Sequence, residues 1–221
     1  GERKFKEAEA GFLTLYEKNP KELRSLFGLA ECYLSQQKQA QALELIQKEA
    51  SRNPESDQLA MALANVAART GKLDIAIQQL EALSAKRPKD PFLHTRLGET
   101  YRRAGKPDVS ASHLRKAIEL APEQPAPKLQ LALQLDEQGQ RTEARQLYEQ
   151  LLKLQPNNVV VLNNLAYMMA ESGTELDQAL TLAQRAKQAM PEEVNVADTL
   201  GWIYIKKNLS DSAIDIYRNL V

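Results

Sequence analysis

The chain has 221 residues, 43% of them hydrophobic and 26% charged, with Lys+Arg and Asp+Glu balanced at 29 each. That balance excludes the broad basic footprint of a nucleic-acid or anionic-membrane binder, so no nucleic-acid partner is expected. The single cysteine, Cys32, excludes an internal disulfide framework, and no apolar run approaches the roughly 18 residues that span a bilayer, so no direct membrane insertion is expected.

From its start the chain is helical in pattern ("ERKFKEAEAGFLTLYEKNP"), with no visible signal peptide or lipid-anchor motif. Residues 1–22 are expected to form the second helix of a partial repeat. Residues 23–56 then contain two segments with apolar residues three and four apart, "LRSLFGLAECYLS" and "QAQALELIQKEASR". The same plan recurs over 57–90, 91–124, 125–158 and 159–193. Residues 194–221 begin a last, incomplete repeat, with Leu220 and Val221 expected inside its second helix. Two ladders define the period. Pro20, Pro54, Pro88, Pro122 and Pro156 are spaced by 34 residues, and Pro191 follows after 35. Gly71, Gly105, Gly139 and Gly173 also recur at 34, Asn208 takes the next rung, and Gln37 is the chemically weak one. Glycine and asparagine tolerate the left-handed backbone that ends a helix, while proline punctuates where a missing N–H costs little.

Aligned repeats give core columns. One is Leu29, Leu63, Leu97, Leu131, Leu165 and Leu200; its neighbour is Ala30, Ala64, Gly98, Ala132, Ala166 and Gly201. The second helices supply Ala42, Ala76, Ser110, Ala144, Ala179 and Ala213. Small residues at every rung imply that two helix backbones approach closely there. This combination resembles the tetratricopeptide repeat family over essentially the whole chain. The resemblance implies an all-α fold: an α-solenoid of stacked helix-turn-helix repeats in a right-handed superhelix, with a concave face lined by the first helices. It is read as one array over 1–221. With no polar capping helix evident, the expectation is a piece of a longer array, or ends that pair with another copy as a homo-oligomer.

Columns of the first helices that avoid the core define the candidate groove. Phe27, Met61, Leu129, Asn163 and Asp198 share one column; Asn65, Leu133, Tyr167 and Trp202 share the next. At 100° per residue, Trp202 lies roughly 150° from the cluster of Ala197, Leu200, Gly201 and Tyr204, which places it on the groove face. Aromatic rings among carboxamides suit a protein or peptide ligand, extended or helical. The alternatives stay open: Trp202 packs under a neighbouring first helix or an absent repeat, and Asn163 and Asn164 are surface residues. The family's basic clamp for acidic C-termini is not reproduced, because Phe27 and Met61 stand where basic or amide side chains would be required. Arg102 and Arg103 are expected to pair with Asp136 and Glu137 one repeat on.

No catalytic, cofactor or metal site is expected. His94 and His113 read as isolated, without partners at ligand spacing, and Cys32 reads as a small buried hydrophobe. The glycines end helices rather than cradle phosphate. The one-residue insertion between Gly173 and Ala179, flanked by "LNNLAY" and "DTLGW", resembles bacterial tetratricopeptide proteins of envelope assembly, exopolysaccharide export and protein sorting. That implies the bacterial cytoplasm, periplasm or cell envelope. The leading expectation is therefore a non-enzymatic scaffold for protein binding. A self-association module and the targeting arm of a larger enzyme are the alternatives.

Overall fold

The computed structural model describes residues 2–20 and 22–218, with side chains from residue 6 onward. The expectation for Leu220 and Val221 lies outside these. The described residues form thirteen α-helices and no strand. In order they are α1 Glu2–Lys18, α2 Leu23–Ser35, α3 Gln39–Arg52, α4 Asp57–Arg69, α5 Leu73–Lys86, α6 Pro91–Arg103 and α7 Pro107–Leu120. There follow α8 Pro125–Glu137, α9 Arg141–Leu154, α10 Val159–Ser172, α11 Leu176–Ala189, α12 Val194–Lys206 and α13 Ser210–Arg218.

The helices start and stop where side-chain chemistry dictates. Ser56 accepts from the Leu59 N–H at 3.3 Å, Asp90 from Phe92 at 3.0 Å and Asn158 from Val161 at 3.2 Å. Each bond satisfies an amide that a first helical turn leaves unpaired. Pro91 and Pro125 follow at first helical positions, where no N–H is required. At the other end of each first helix the chain passes through a left-handed residue. Gly71, Gly105, Gly139 and Gly173 have φ of 71–77°, while Gln37 and Asn208 adopt 61° and 59°. Gln37, with the wrong chemistry, thus makes the same turn as the glycines.

The packing divides into two compact units, Gly1–Leu120 and Ala121–Val221. In the first, α1 to α7 pack in succession, each of α1 to α6 on the one after it; in the second, α8 to α13 do the same, and α10 also touches α12. The leucine column is buried throughout, Leu63 being the most exposed at 5%. Ala42, Ala76, Ser110, Ala144 and Ala179 are fully buried. The reason for small residues is visible at Gly98, where an added Cβ would sit 2.6 Å from Leu114 Cγ and 3.3 Å from the Ser110 carbonyl oxygen. At Gly201 it would meet the Tyr217 ring at 2.6 Å.

The inserted residue is absorbed in the turn between α10 and α11. Gly173 caps α10 with φ 72°, and Thr174 and Glu175 precede α11 where Gln140 alone precedes α9. Glu175 then grips Arg145 of α9 through both carboxylate oxygens, one at 2.9 Å. Among the described residues no helix is long and apolar enough to cross a membrane.

Two substitutions test this account. Leu131→Ala, at a site 1% exposed, should lower the unfolding free energy by about 2–5 kcal/mol in urea titrations. A loss below about half a kilocalorie would place Leu131 outside the core. Gln37→Gly should instead raise stability, by about 0.5–1 kcal/mol, because it relieves a side chain from the left-handed region. An unchanged or lower midpoint would contradict the strain assigned to that turn.

Candidate functional site

Each unit has a groove on the face of its first helices. In the first unit, α2 and α4 border a space of about 860 Å³, closed at one end by Phe92 of α6. Phe27, Met61 and Asn65 line it with Arg24, Gln58 and Glu31. Its floor is apolar, supplied by Leu23, Leu34 and Val66. Its charges are largely matched: Arg69 holds Glu31 through two contacts, one of 3.1 Å, and Arg87 lies 3.8 Å from Asp57 and 3.4 Å from Asp90. Asn65 is also engaged, its Oδ1 accepting from Arg96 at 2.8 Å.

In the second unit, α10 and α12 border a space of about 710 Å³. Asn163 and Tyr167 line it from α10, and Asn195 and Asp198 from α12, over Val160 and Met190. The Tyr167 ring is 41% exposed. Asn164, beside it, donates to the Tyr148 hydroxyl at 3.1 Å. Burial is the main influence holding that phenol up at about 12.

Six of the nine groove candidates thus divide between two grooves. Leu129 and Leu133 of α8 are partly buried and line neither. Trp202 also lines neither. Its indole N–H donates to Glu171 of α10 at 3.0 Å, and Lys206 Nζ stands 4.6 Å from its ring centroid. The only tryptophan is therefore partly buried and tied to the neighbouring first helix. Two groove residues, Met190 and Glu193, belong to the turn between α11 and α12 and so fall outside the first-helix columns. Their signal lies beside Pro191, one residue before it and two after it, in the turn that the proline ladder marks.

The structure corrects the reading of the two histidines. Nineteen residues apart, they meet because α6 and α7 form a hairpin: the Nδ1 atoms are 3.1 Å apart. The ring centroids are 5.4 Å apart with planes 28° apart, so the rings meet edge to edge rather than face to face. His94 Nε2 lies 3.0 Å from the Pro88 carbonyl, which can only accept. His94 is therefore protonated at Nε2, its Nδ1 accepts, and His113 donates from Nδ1. Tyr101 lies against His113 and donates to Glu81 of α5. The Glu81 hydrogen bond, aided by burial, pushes that phenol up to about 12. Burial, then the facing His94, holds the His113 imidazole below the ordinary 6.5, against an opposing pull from Glu81.

Cys32 is partly rather than fully buried. Burial, with Glu9 and Glu31 adding, raises its thiol above the usual range and keeps it protonated at neutral pH. Arg102 and Asp136 fall in different units; Arg103 donates to the Ala68 carbonyl at 2.8 Å. Repeat-to-repeat ion pairs occur elsewhere, including Lys38–Glu9 at 2.8 Å, Arg145–Glu175 and Lys207–Asp177. Among the described residues no three His, Cys, Asp or Glu side chains gather as a metal site.

The sequence matches a tetratricopeptide repeat family profile over residues 1–57 and 61–125, and a second tetratricopeptide repeat profile over 101–166. Comparison with curated protein sequences gives no match. Among solved structures, MamA superposes with a TM-score of 0.68 at 18% identity, over 76% of this chain and 91% of that one. MamA from Desulfovibrio magneticus RS-1 gives 0.68 at 17%, over 74% and 92%. YrrB, described as a TPR protein with an unusual peptide-binding site, gives 0.62 at 17%, over 86% and 98%. At these identities the likeness is one of fold.

The histidine pair makes stability depend on pH with a definite sign. Because the folded chain holds a proton on His113 less tightly than the unfolded chain does, stability falls as pH drops below about 6.5. The carboxylates of Glu9, Glu31, Glu175 and Asp177 are held low by their cationic partners, so their contribution is lost only in more acid solution. Urea midpoints measured from pH 7 to pH 5 should decline in the wild type and decline less in His113→Gln. Parallel slopes would rule out this assignment.

Proposed function

The chain belongs to the tetratricopeptide repeat family, and from that premise we propose that it is a non-catalytic protein-interaction scaffold. It takes up an extended peptide or a helix of a partner protein along the exposed faces of its first helices. The observation that carries this reading is the pair of grooves, about 860 and 710 Å³, built from equivalent first-helix positions. Large apolar side chains stand open at both: Phe92 is 54% exposed, Val160 46% and Tyr167 41%. Exposed aromatic and aliphatic groups beside carboxamides are what a peptide needs, since rings give contact area at low entropic cost and amides meet its backbone. The peptide-binding description of YrrB, which shares this fold, supports the same reading.

The biological setting we propose is bacterial: envelope assembly, exopolysaccharide export or protein sorting. It rests on the resemblance of the stretch around Asn163 to Trp202.

The test compares wild type with Phe27→Ala/Tyr167→Ala, one substitution in each groove. Partner proteins captured from the source lysate should fall by about tenfold in the variant, as truncating aromatic anchors typically costs more than a kilocalorie. Far-ultraviolet circular dichroism should stay unchanged. Equal recovery from a folded variant would remove the grooves as the binding surface.

A further inference from the structure

The two grooves differ in charge. In the first unit, Arg24, Arg69 and Arg87 face Glu31 and Asp57 around an apolar floor. In the second, the charged lining groups are Glu193 and Asp198, and no Lys, Arg or His lines the space. Among the described residues neither carboxylate has an ionic partner. Glu193 accepts from the Asn195 amide at 3.2 Å, and Asp198 accepts weakly from the Tyr217 hydroxyl at 3.4 Å. The lysines on the adjoining helices are engaged elsewhere: Lys187 bonds the Pro191 carbonyl, and Lys206 lies over Trp202, 3.9 Å from Glu171.

A second feature has the same polarity. The Asn163 side-chain oxygen is buried and accepts no hydrogen bond. A buried acceptor without a donor is costly, and Asn163 is among the residues that line this groove. The Tyr167 ring, open beside it, offers a π-face to a cation. Val160 and Met190 offer apolar contact to the stem that bears such a cation.

From acceptors without cations, a π-face and an apolar floor, we propose that the second-unit groove selects a partner segment presenting a lysine or arginine among apolar residues. The basic head lies between Asp198, Glu193 and the Tyr167 ring, and the flanking apolar side chains rest on Val160 and Met190. This rests on the groove reading above and adds the chemistry of the occupant. Some other acids of this chain meet cations of their own, as Glu175 meets Arg145 and Asp177 meets Lys207. Here the cation comes from outside.

Three fluorescein-labelled, end-blocked nonapeptides test the proposal. They share flanking leucines and alanines and differ at the central residue: arginine, glutamine or glutamate. Anisotropy titrations use the whole chain at about 0.15 M salt, where surface charges are screened over about 8 Å. The arginine peptide should bind about five- to tenfold more tightly than the glutamine peptide, the combined scale of exposed ion pairs and a cation–π contact. The glutamate peptide should bind most weakly. In Glu193→Gln/Asp198→Asn, which keeps the side-chain shapes, the arginine advantage should drop below about twofold. The glutamine peptide should be unaffected.

Equal binding of the arginine and glutamine peptides to the wild type would overturn the charge selectivity and leave the groove reading standing. An arginine advantage that survives in the double variant would overturn it too, because the selectivity would then lie outside this groove. If no peptide of the three binds the wild type, the groove reading itself fails, and this inference with it.

Discussion

The close contact between the two helices of each repeat governs everything else in the molecule. Ala30, Ala64 and Ala132 are buried in this column, and at Gly98 and Gly201 even a methyl group would press against Leu114 and Tyr217. Once two backbones are pressed together there, the rotation of each first helix about its own axis is settled. The leucine column must point into the core. The side chains on the far arc, Phe27, Met61, Asn163 and Asp198 among them, are turned out toward the groove. An open face follows from a packing demand, and its chemistry can then vary from repeat to repeat without disturbing the core.

That separation of tasks explains what could be read from the chain beforehand. Period, helix ends and core columns are local or strictly periodic, so they survive projection onto a line of letters. Gln37 shows how far the periodic logic extends. Its residue type argues against a left-handed turn, yet the five other rungs demand one and the structure obeys them. Contacts that depend on the register between helices were not legible. His94 and His113 look isolated until a hairpin sets them side by side. The helical azimuth of Trp202 leaves a groove position and packing against a neighbouring first helix both open, because it says nothing of Glu171, which reaches it from the preceding first helix. Met190 and Glu193 were missed because they enter the groove from a turn, and helical periodicity assigns no face to a turn. Cys32, expected inside, is only partly buried.

Formal neutrality hides local polarity. Equal numbers of acids and bases exclude a uniformly charged surface and are compatible with two grooves of different character. Most of the ion pairs bind one repeat to the next or one helical turn to another, and exposed pairs of this kind contribute at most about 1 kcal/mol each. Their larger effect is to use up neighbouring charges. Asp198, by contrast, has the Tyr217 hydroxyl against it and, among the described residues, no cation of its own. The turn that holds the inserted residue takes part in the same pattern, since its Glu175 meets Arg145.

The position of Trp202 also has an optical consequence. As the only indole in the chain, it makes the emission above the tyrosine band a property of one place: the α10–α12 contact, where Glu171 holds the ring nitrogen and Lys206 covers a face. In a repeat protein, where neighbouring segments can melt separately, that emission is a thermometer for the second unit and is blind to the first.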